Sequence, residues 1–154
     1  PYKEGTTQID HILVSRYGIF VIETKNYSGW IFGNPLSKKW TQIIYKEKTR
    51  FQNPLHQNMF HVNALRKLLD FHPPETIHSI IVFTGSAEIK TELPNNVIYI
   101  NQLFSYINAF SKEVMSQNRL EFCVGRIESH RYQISRQTDF EHQEYLRKKH
   151  GYLD

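Results

Sequence analysis

The run from Gln8 to Lys25 constrains the fold of this chain more than any other stretch. It reads Gln-Ile-Asp-His-Ile-Leu-Val-Ser, then Arg-Tyr-Gly, then Ile-Phe-Val-Ile-Glu-Thr-Lys. Two segments rich in Ile, Val, Leu and Phe flank a turn-like Tyr17-Gly18, the pattern of a β-hairpin. Charge interrupts it at Asp10 in the first strand and at Glu23 and Lys25 near the end of the second. Successive strand side chains point to opposite faces, so Glu23 and Lys25 share a face with Ile19 and Val21. Asp10 shares its face with Gln8, Ile12 and Val14. With Tyr17-Gly18 as a two-residue turn, Arg16 pairs with Ile19, and Asp10 lies opposite Lys25 and diagonal to Glu23. Cβ atoms so placed are roughly 5 to 8 Å apart. A slip of one residue would divide the set between two faces.

Two neighbouring carboxylates raise each other's pKa, and a divalent cation relieves that conflict. Hard cations such as Mg²⁺ take oxygen ligands, typically one or two carboxylates completed by waters and substrate phosphates. Lys25, beside Glu23 on the same face, would then hold or polarise an attacking water. Asp, a dozen residues, then Glu-x-Lys therefore suits metal-assisted phosphodiester hydrolysis. The spacing is equally readable as an ordinary surface ion pair, because Glu-x-Lys is a common tripeptide.

The words around these residues are more specific. Thr7-Gln8-Ile9-Asp10-His11, the run Arg16 to Asn26 and Gly29-Trp30-Ile31-Phe32-Gly33 resemble the nuclease-related domain family. So do Trp40-Thr41-Gln42 and Phe51-Gln52-Asn53-Pro54-Leu55, followed by Gln57-Asn58 and His61. The resemblance is dense from Gly5 to Leu69 and thin beyond. It implies a restriction-endonuclease-like core: an α/β fold in which a mixed β-sheet is flanked by α-helices. It also implies a Mg²⁺- or Mn²⁺-dependent deoxyribonuclease, with Asp10, Glu23 and the Thr24 backbone carbonyl as metal ligands. Lys25 would position or activate the water, and Gln57 would steady the water or a phosphate. Such folds place a helix before the first strand. Here Pro1 is followed almost at once by that strand, so residues 1–154 are expected to be a single domain lacking its opening helix, trimmed from a longer protein. Glu4 is the acidic residue left upstream of Asp10.

A chain of 154 residues with 40% hydrophobic content can bury one real core. No apolar run approaches the roughly 18 residues of a membrane span, so no membrane partner is expected. The single Cys123 forms no internal disulfide, which makes a reducing cytoplasm the default location. A net charge of +4 permits phosphate binding without demanding it.

After the hairpin, Trp30-Ile31-Phe32 reads as a brief strand, and 40–46 and 49–52 continue a meander. Lys38, Lys39, Lys46, Lys48 and Arg50 gather there beside Trp30, Trp40 and Tyr45, a mixture compatible with gripping nucleic acid. The same lysines suit an exposed strand edge. Gln42 is a candidate to face the metal site. Asn53-Pro54 is a helix start, cap followed by first-turn proline. That helix is expected to reach about Phe71 with Leu55, Met59, Val62, Leu65, Leu68 and Leu69 inward. Gln57 and His61, four apart, share one of its faces, and His61 is a candidate phosphate contact. His11 falls on the face opposite Asp10 and reads as structural.

Residues 77–85 form a continuous apolar run, as in a central strand buried on both faces, and 97–100 form a shorter one. A helix follows from Asn101 with Leu103, Phe104, Ile107 and Phe110 inward. Another spans 119–128 with Leu120, Val124 and Ile127 inward, burying Cys123 in part. Thr138 and Glu141 make a capping box for a last helix, which ends in the basic stretch 147–151. The function expected is DNA processing by hydrolysis. The alternatives are a nucleic-acid-binding module that cuts nothing, and a protein-interaction domain. Other domains of a longer chain are further expected partners.

Overall fold

The computed structural model describes residues 11–130. Asp10, Glu4 and the capping box with its basic end lie outside them. Eight strands and three helices follow in mixed order, giving an α/β domain with two four-stranded sheets. The first sheet has the order β1-β2-β6-β8, from β1 (His11–Ser15), β2 (Gly18–Asn26), β6 (Ile77–Thr84) and β8 (Val97–Tyr99). β1 and β2 are antiparallel, whereas β2, β6 and β8 run parallel. The second has the order β5-β4-β3-β7, from β3 (Gly29–Phe32), β4 (Lys39–Ile44), β5 (Glu47–Gln52) and β7 (Ala87–Ile89). The expected meander is therefore β3–β4–β5, but it builds a sheet of its own.

The hairpin forms with a different turn. Ser15 pairs with Gly18 and Val14 with Ile19, so Arg16-Tyr17 occupies the turn and the expected pairing of Arg16 with Ile19 is corrected. Ser15 closes it: its hydroxyl donates to the Gly18 carbonyl at 3.1 Å and accepts the Tyr17 N–H at 3.1 Å. The correction is two residues in register, so every side chain keeps its face.

Those faces organise the core. Ile19 and Val21 lie on one side of β2, with Ile12 and Val14 opposite them on β1, and pack under α1 (Pro54–Leu68). Phe20 and Ile22 lie on the other side with Ile80, Val82 and Ile98, covered by α2 (Leu103–Asn108). β6 is buried on both sides, as its apolar run requires. Its Ile81 and Phe83 meet Ile31 and Trp40 of the second sheet, which closes over that end of the α1 side. Tyr27-Ser28-Gly29 leads from one sheet to the other. Gly29 has φ 79°, and a Cβ there would collide with the Ile43 backbone carbonyl, so the bend needs glycine.

α2 turns Leu103, Tyr106 and Ile107 inward, partly buried, with Phe110 just past its end, while Phe104 is 78% exposed, against expectation. The third helix, α3, occupies 117–130 and turns in Leu120, Cys123 and Ile127, leaving Val124 outside. Cys123 is fully buried rather than partly so, and burial pushes its thiol pKa up despite nearby Arg119. That is the reverse of what a thiolate nucleophile needs. α1 ends at Leu68, three residues short of Phe71.

Its start is as expected and more heavily tied. The buried Asn53 side chain accepts the Leu55 N–H at 2.9 Å. Its amide also donates to the carbonyls of Ser37 at 2.8 Å, Pro35 at 3.1 Å and Asn34 at 3.3 Å. One side chain thus caps the helix and anchors the loop before β4. Asn53→Ala should lower the unfolding free energy by about 2–4 kcal/mol, a cap plus stranded carbonyls. Asn53→Asp keeps the cap acceptor but loses both donors, so urea denaturation should find it destabilised too. An Asp variant as stable as the parent would reduce Asn53 to a cap.

Candidate active site

Alternation along β2 carries Glu23 and Lys25 onto the same face as the apolar stripe of Ile19 and Val21. The register with β6 sets Glu23 beside Ile81 and Lys25 beside Phe83. Both flanking residues belong to the apolar cluster between the sheets, so the two charges stand at the margin of dry packing. Glu23 is 4% exposed. A surface ion pair, the bland expectation, is thereby excluded.

The Lys25 ammonium lies 3.1 Å from Glu23 Oε1 and donates to Gln57 Oε1 at 2.9 Å. Gln57 comes from the first turn of α1, so one cation joins the sheet to the helix start. An ammonium has three N–H donors, and the lysine side chain keeps 16% exposure, leaving one donor for a water or a phosphate oxygen. This is what the sequence could not supply: strand parity brings Glu23 and Lys25 together, but the approach of Gln57 depends on how α1 docks.

The residue that docks it is Asn58, to which the sequence reading gave no role. Fully buried, its amide donates to the Val21 carbonyl at 2.9 Å and to Ser79 Oγ at 2.8 Å, bridging β2 and β6 one residue from Gln57. Tyr27, just past the end of β2, also lies within the field of the Glu23 charge. Burial first and the Glu23 charge second raise its phenol pKa above 10.0. Its ring packs edge-on against Phe51, with centroids 4.7 Å apart.

Other expected site residues fall elsewhere. Gln42 donates to the Ser28 carbonyl at 2.9 Å, which ties it to the bend between the sheets. His61, expected to contact nucleic acid, is 0% exposed within the α1 packing. Lys38, Lys39, Lys46, Lys48 and Arg50 are all exposed. Thr24 follows Glu23 on the opposite face of β2. Asp10 lies just before the described residues. Among the described residues, no three His, Cys, Asp or Glu side chains gather as a metal cluster. No helix among them is long and apolar enough to cross a membrane.

A model of the nuclease-related domain matches residues 1–84, just over half of the chain. An uncharacterized protein of Bacillus anthracis is 34% identical over 126 residues, covering 75% of this chain and 56% of that relative. The chain thus spans little more than half the length of the curated relative it matches. No solved structure matches it.

Glu23→Gln removes the charge that helps hold the Tyr27 proton. The phenol pKa should then fall, yet stay above 10.0 because burial, the larger cause, persists. Tyrosine ¹³Cζ shifts followed against pH would measure it. An unchanged value would mean that Glu23 and Tyr27 are electrostatically independent.

Proposed function

The chain belongs to the nuclease-related domain family, and we propose that Glu23, Lys25 and Gln57 form the hydrolytic centre of a metal-dependent nuclease acting on DNA phosphodiester bonds. The observation that carries this reading is the ammonium of Lys25 held between a buried carboxylate and an amide at the start of a helix. Charged groups fixed at the edge of a low-dielectric core act more strongly on developing charge than the same groups in water.

The donor chemistry fits a hard cation. Glu23 offers buried carboxylate oxygen, and Asp10 immediately precedes in sequence the described part of β1, whose Ile12 and Val14 lie on the Glu23 face. Asp10 and Glu23, with the Thr24 carbonyl, would hold Mg²⁺ or Mn²⁺. One or two carboxylates completed by water and phosphate is the usual Mg²⁺ arrangement. When bound, the ion would offset charge that accumulates on the scissile phosphate.

The remaining work falls to the protein's own groups. Lys25 would hold the water that attacks in line with the leaving oxygen, using the N–H not taken by Glu23 and Gln57. Gln57 would fix the direction of the ammonium and keep the lysine extended. Lys38, Lys39, Lys46, Lys48 and Arg50 would supply phosphate contacts, which makes binding salt-dependent. Gln42 would act at one remove, steadying the bend through Ser28.

Glu23→Ala and Lys25→Ala should each slow cleavage of a DNA substrate in Mg²⁺ or Mn²⁺ by about a hundredfold or more, with near-native circular dichroism. Calorimetric titration of Mn²⁺ should show binding to the parent that Glu23→Ala loses. Variants that cut at the parental rate would refute the hydrolytic centre. A parent chain that binds DNA in a salt-sensitive way, yet neither binds Mn²⁺ nor cuts, would instead be a binding module.

A further inference from the structure

The two faces of the second sheet differ sharply. Ile31, Trp40, Phe51, Ala87 and Ile89 point inward to the cluster shared with the first sheet. Cross-strand pairing fixes what points the other way. Trp30 pairs with Ile43, which pairs with Lys48; Phe32 pairs with Thr41, which pairs with Arg50; and Lys39 pairs with Gln52. Paired residues project on the same side. The outer face is therefore ordered in columns: aromatics on β3, Thr and Ile on β4, cations on β5. Neighbouring strands are about 4.8 Å apart, so the cation column lies on the order of 10 Å from the aromatic one.

Its side chains are open to solvent. Trp30 is 49% exposed, whereas Trp40, on the inner face, is 1% exposed. Phe32 stands edge-on to Trp30 with centroids 6.5 Å apart. The Lys90 ammonium sits 4.9 Å above the indole, steered there by a 2.7 Å ion pair with Glu88. Lys39, Lys48, Arg50 and Lys90 are exposed cations around this face, and Glu88 is the acid that pairs with Trp30 across β7. At the Lys39 and Gln52 end, β5 passes directly through Asn53 into α1, which carries Gln57 to Lys25.

We propose that the outer face of the β3–β4–β5 sheet binds single-stranded nucleic acid, with bases stacked on Trp30 and Phe32 and phosphates along Lys48, Arg50 and Lys39. Charge complementarity selects a polyanion, and the aromatic column selects one whose ring faces are available. A duplex hides those faces in its own stack; a single strand presents them. The Lys90 ammonium over the indole is an exposed, salt-sensitive cover. An incoming base displaces it, and the freed charge remains near the adjoining phosphate. The proposal deepens the DNA-binding part of that reading, in which Lys39, Lys48 and Arg50 already contact phosphate, while none of these side chains belongs to the Glu23–Lys25–Gln57 cluster.

The molecule contains its own reporter, because its two tryptophans divide into one exposed and one buried. An oligo(dT) of about 12 nucleotides, within the usual length range of single-strand sites, should quench the fluorescence of the whole chain at low salt. In Trp30→Phe the remaining Trp40 emission should report the fold and stay unquenched. Trp30→Ala should weaken binding about tenfold. Lys48→Ala and Arg50→Ala should each flatten the plot of log affinity against log salt by about 0.7. Quenching by oligo(dT) in EDTA, which withholds any divalent ion and so silences cleavage, should match that in Mg²⁺, which separates failure here from failure of the hydrolytic centre. Three results would overturn the proposal: no quenching at low salt, a Trp30→Ala chain that binds like the parent while Trp40 emission shows a native fold, or equal quenching by a blunt duplex.

Discussion

A carboxylate taken out of water must be compensated, and the interior around Glu23 is arranged by that requirement. Lys25, two residues along the same strand, supplies a counter-charge at 3.1 Å and in turn rests on Gln57 from another element. Removing one partner of such a buried pair costs several kcal/mol, because the survivor stays buried without its counter-charge. The pair therefore makes the docking of α1 more than a matter of apolar area. The helix must arrive with its first turn over the end of β2. Asn58 fixes it sideways on β2 and β6, and Asn53 fixes where it begins.

The second sheet follows from the same geometry. β2 runs to Asn26, and the chain then leaves the first sheet through the bend at Gly29. β3 to β5 must cover the β6 end of the same face without crossing the cluster. They do so by placing Trp40 against Phe83, ring planes 14° apart, while the helix takes the Ile19 end. The polar cluster sits between the two coverings. A Tyr99 hydroxyl accepting the Ile89 N–H at 2.7 Å ties the far edges of the sheets together.

Much of this was legible in the sequence. Features with a short period could be read directly: the parity that joins Glu23 to Lys25, the Asn53-Pro54 start, the doubly buried run of β6. The hairpin register came out two residues off because Tyr17-Gly18 looks like a turn, whereas the Ser15 hydroxyl closes one around Arg16-Tyr17. The helical stripes missed twice for different reasons. From Leu103 a 3.6-residue period passes through Tyr106, Ile107 and Phe110, not Phe104, so hydrophobicity alone chose that neighbour. From Leu120 the same period admits both Cys123 and Val124, and the docking of α3, which no local period encodes, turns Cys123 inward. β7, three residues long, carries too little pattern to be seen. Gln57 was named for the site through resemblance, while its contact with Lys25 and the anchoring by Asn58 are tertiary facts that no local period encodes.

The energetic standing of the cluster bears on its purpose. An apolar trio of similar volume at positions 23, 25 and 57 would extend the packing of Val21 and Ile81 without the cost of dehydrating two charges. Such exchanges are often neutral or stabilising by about 1–4 kcal/mol. Stability alone is thus a poor account of a carboxylate, an ammonium and an amide in this place. Binding a polyanion does not need them either, because Glu23 is buried and negative, and the exposed cations lie on a different face. What the arrangement supplies is one N–H direction held fixed beside a carboxylate at the edge of solvent. On the proposed reading, that fixed direction is what chemistry on a phosphate would use.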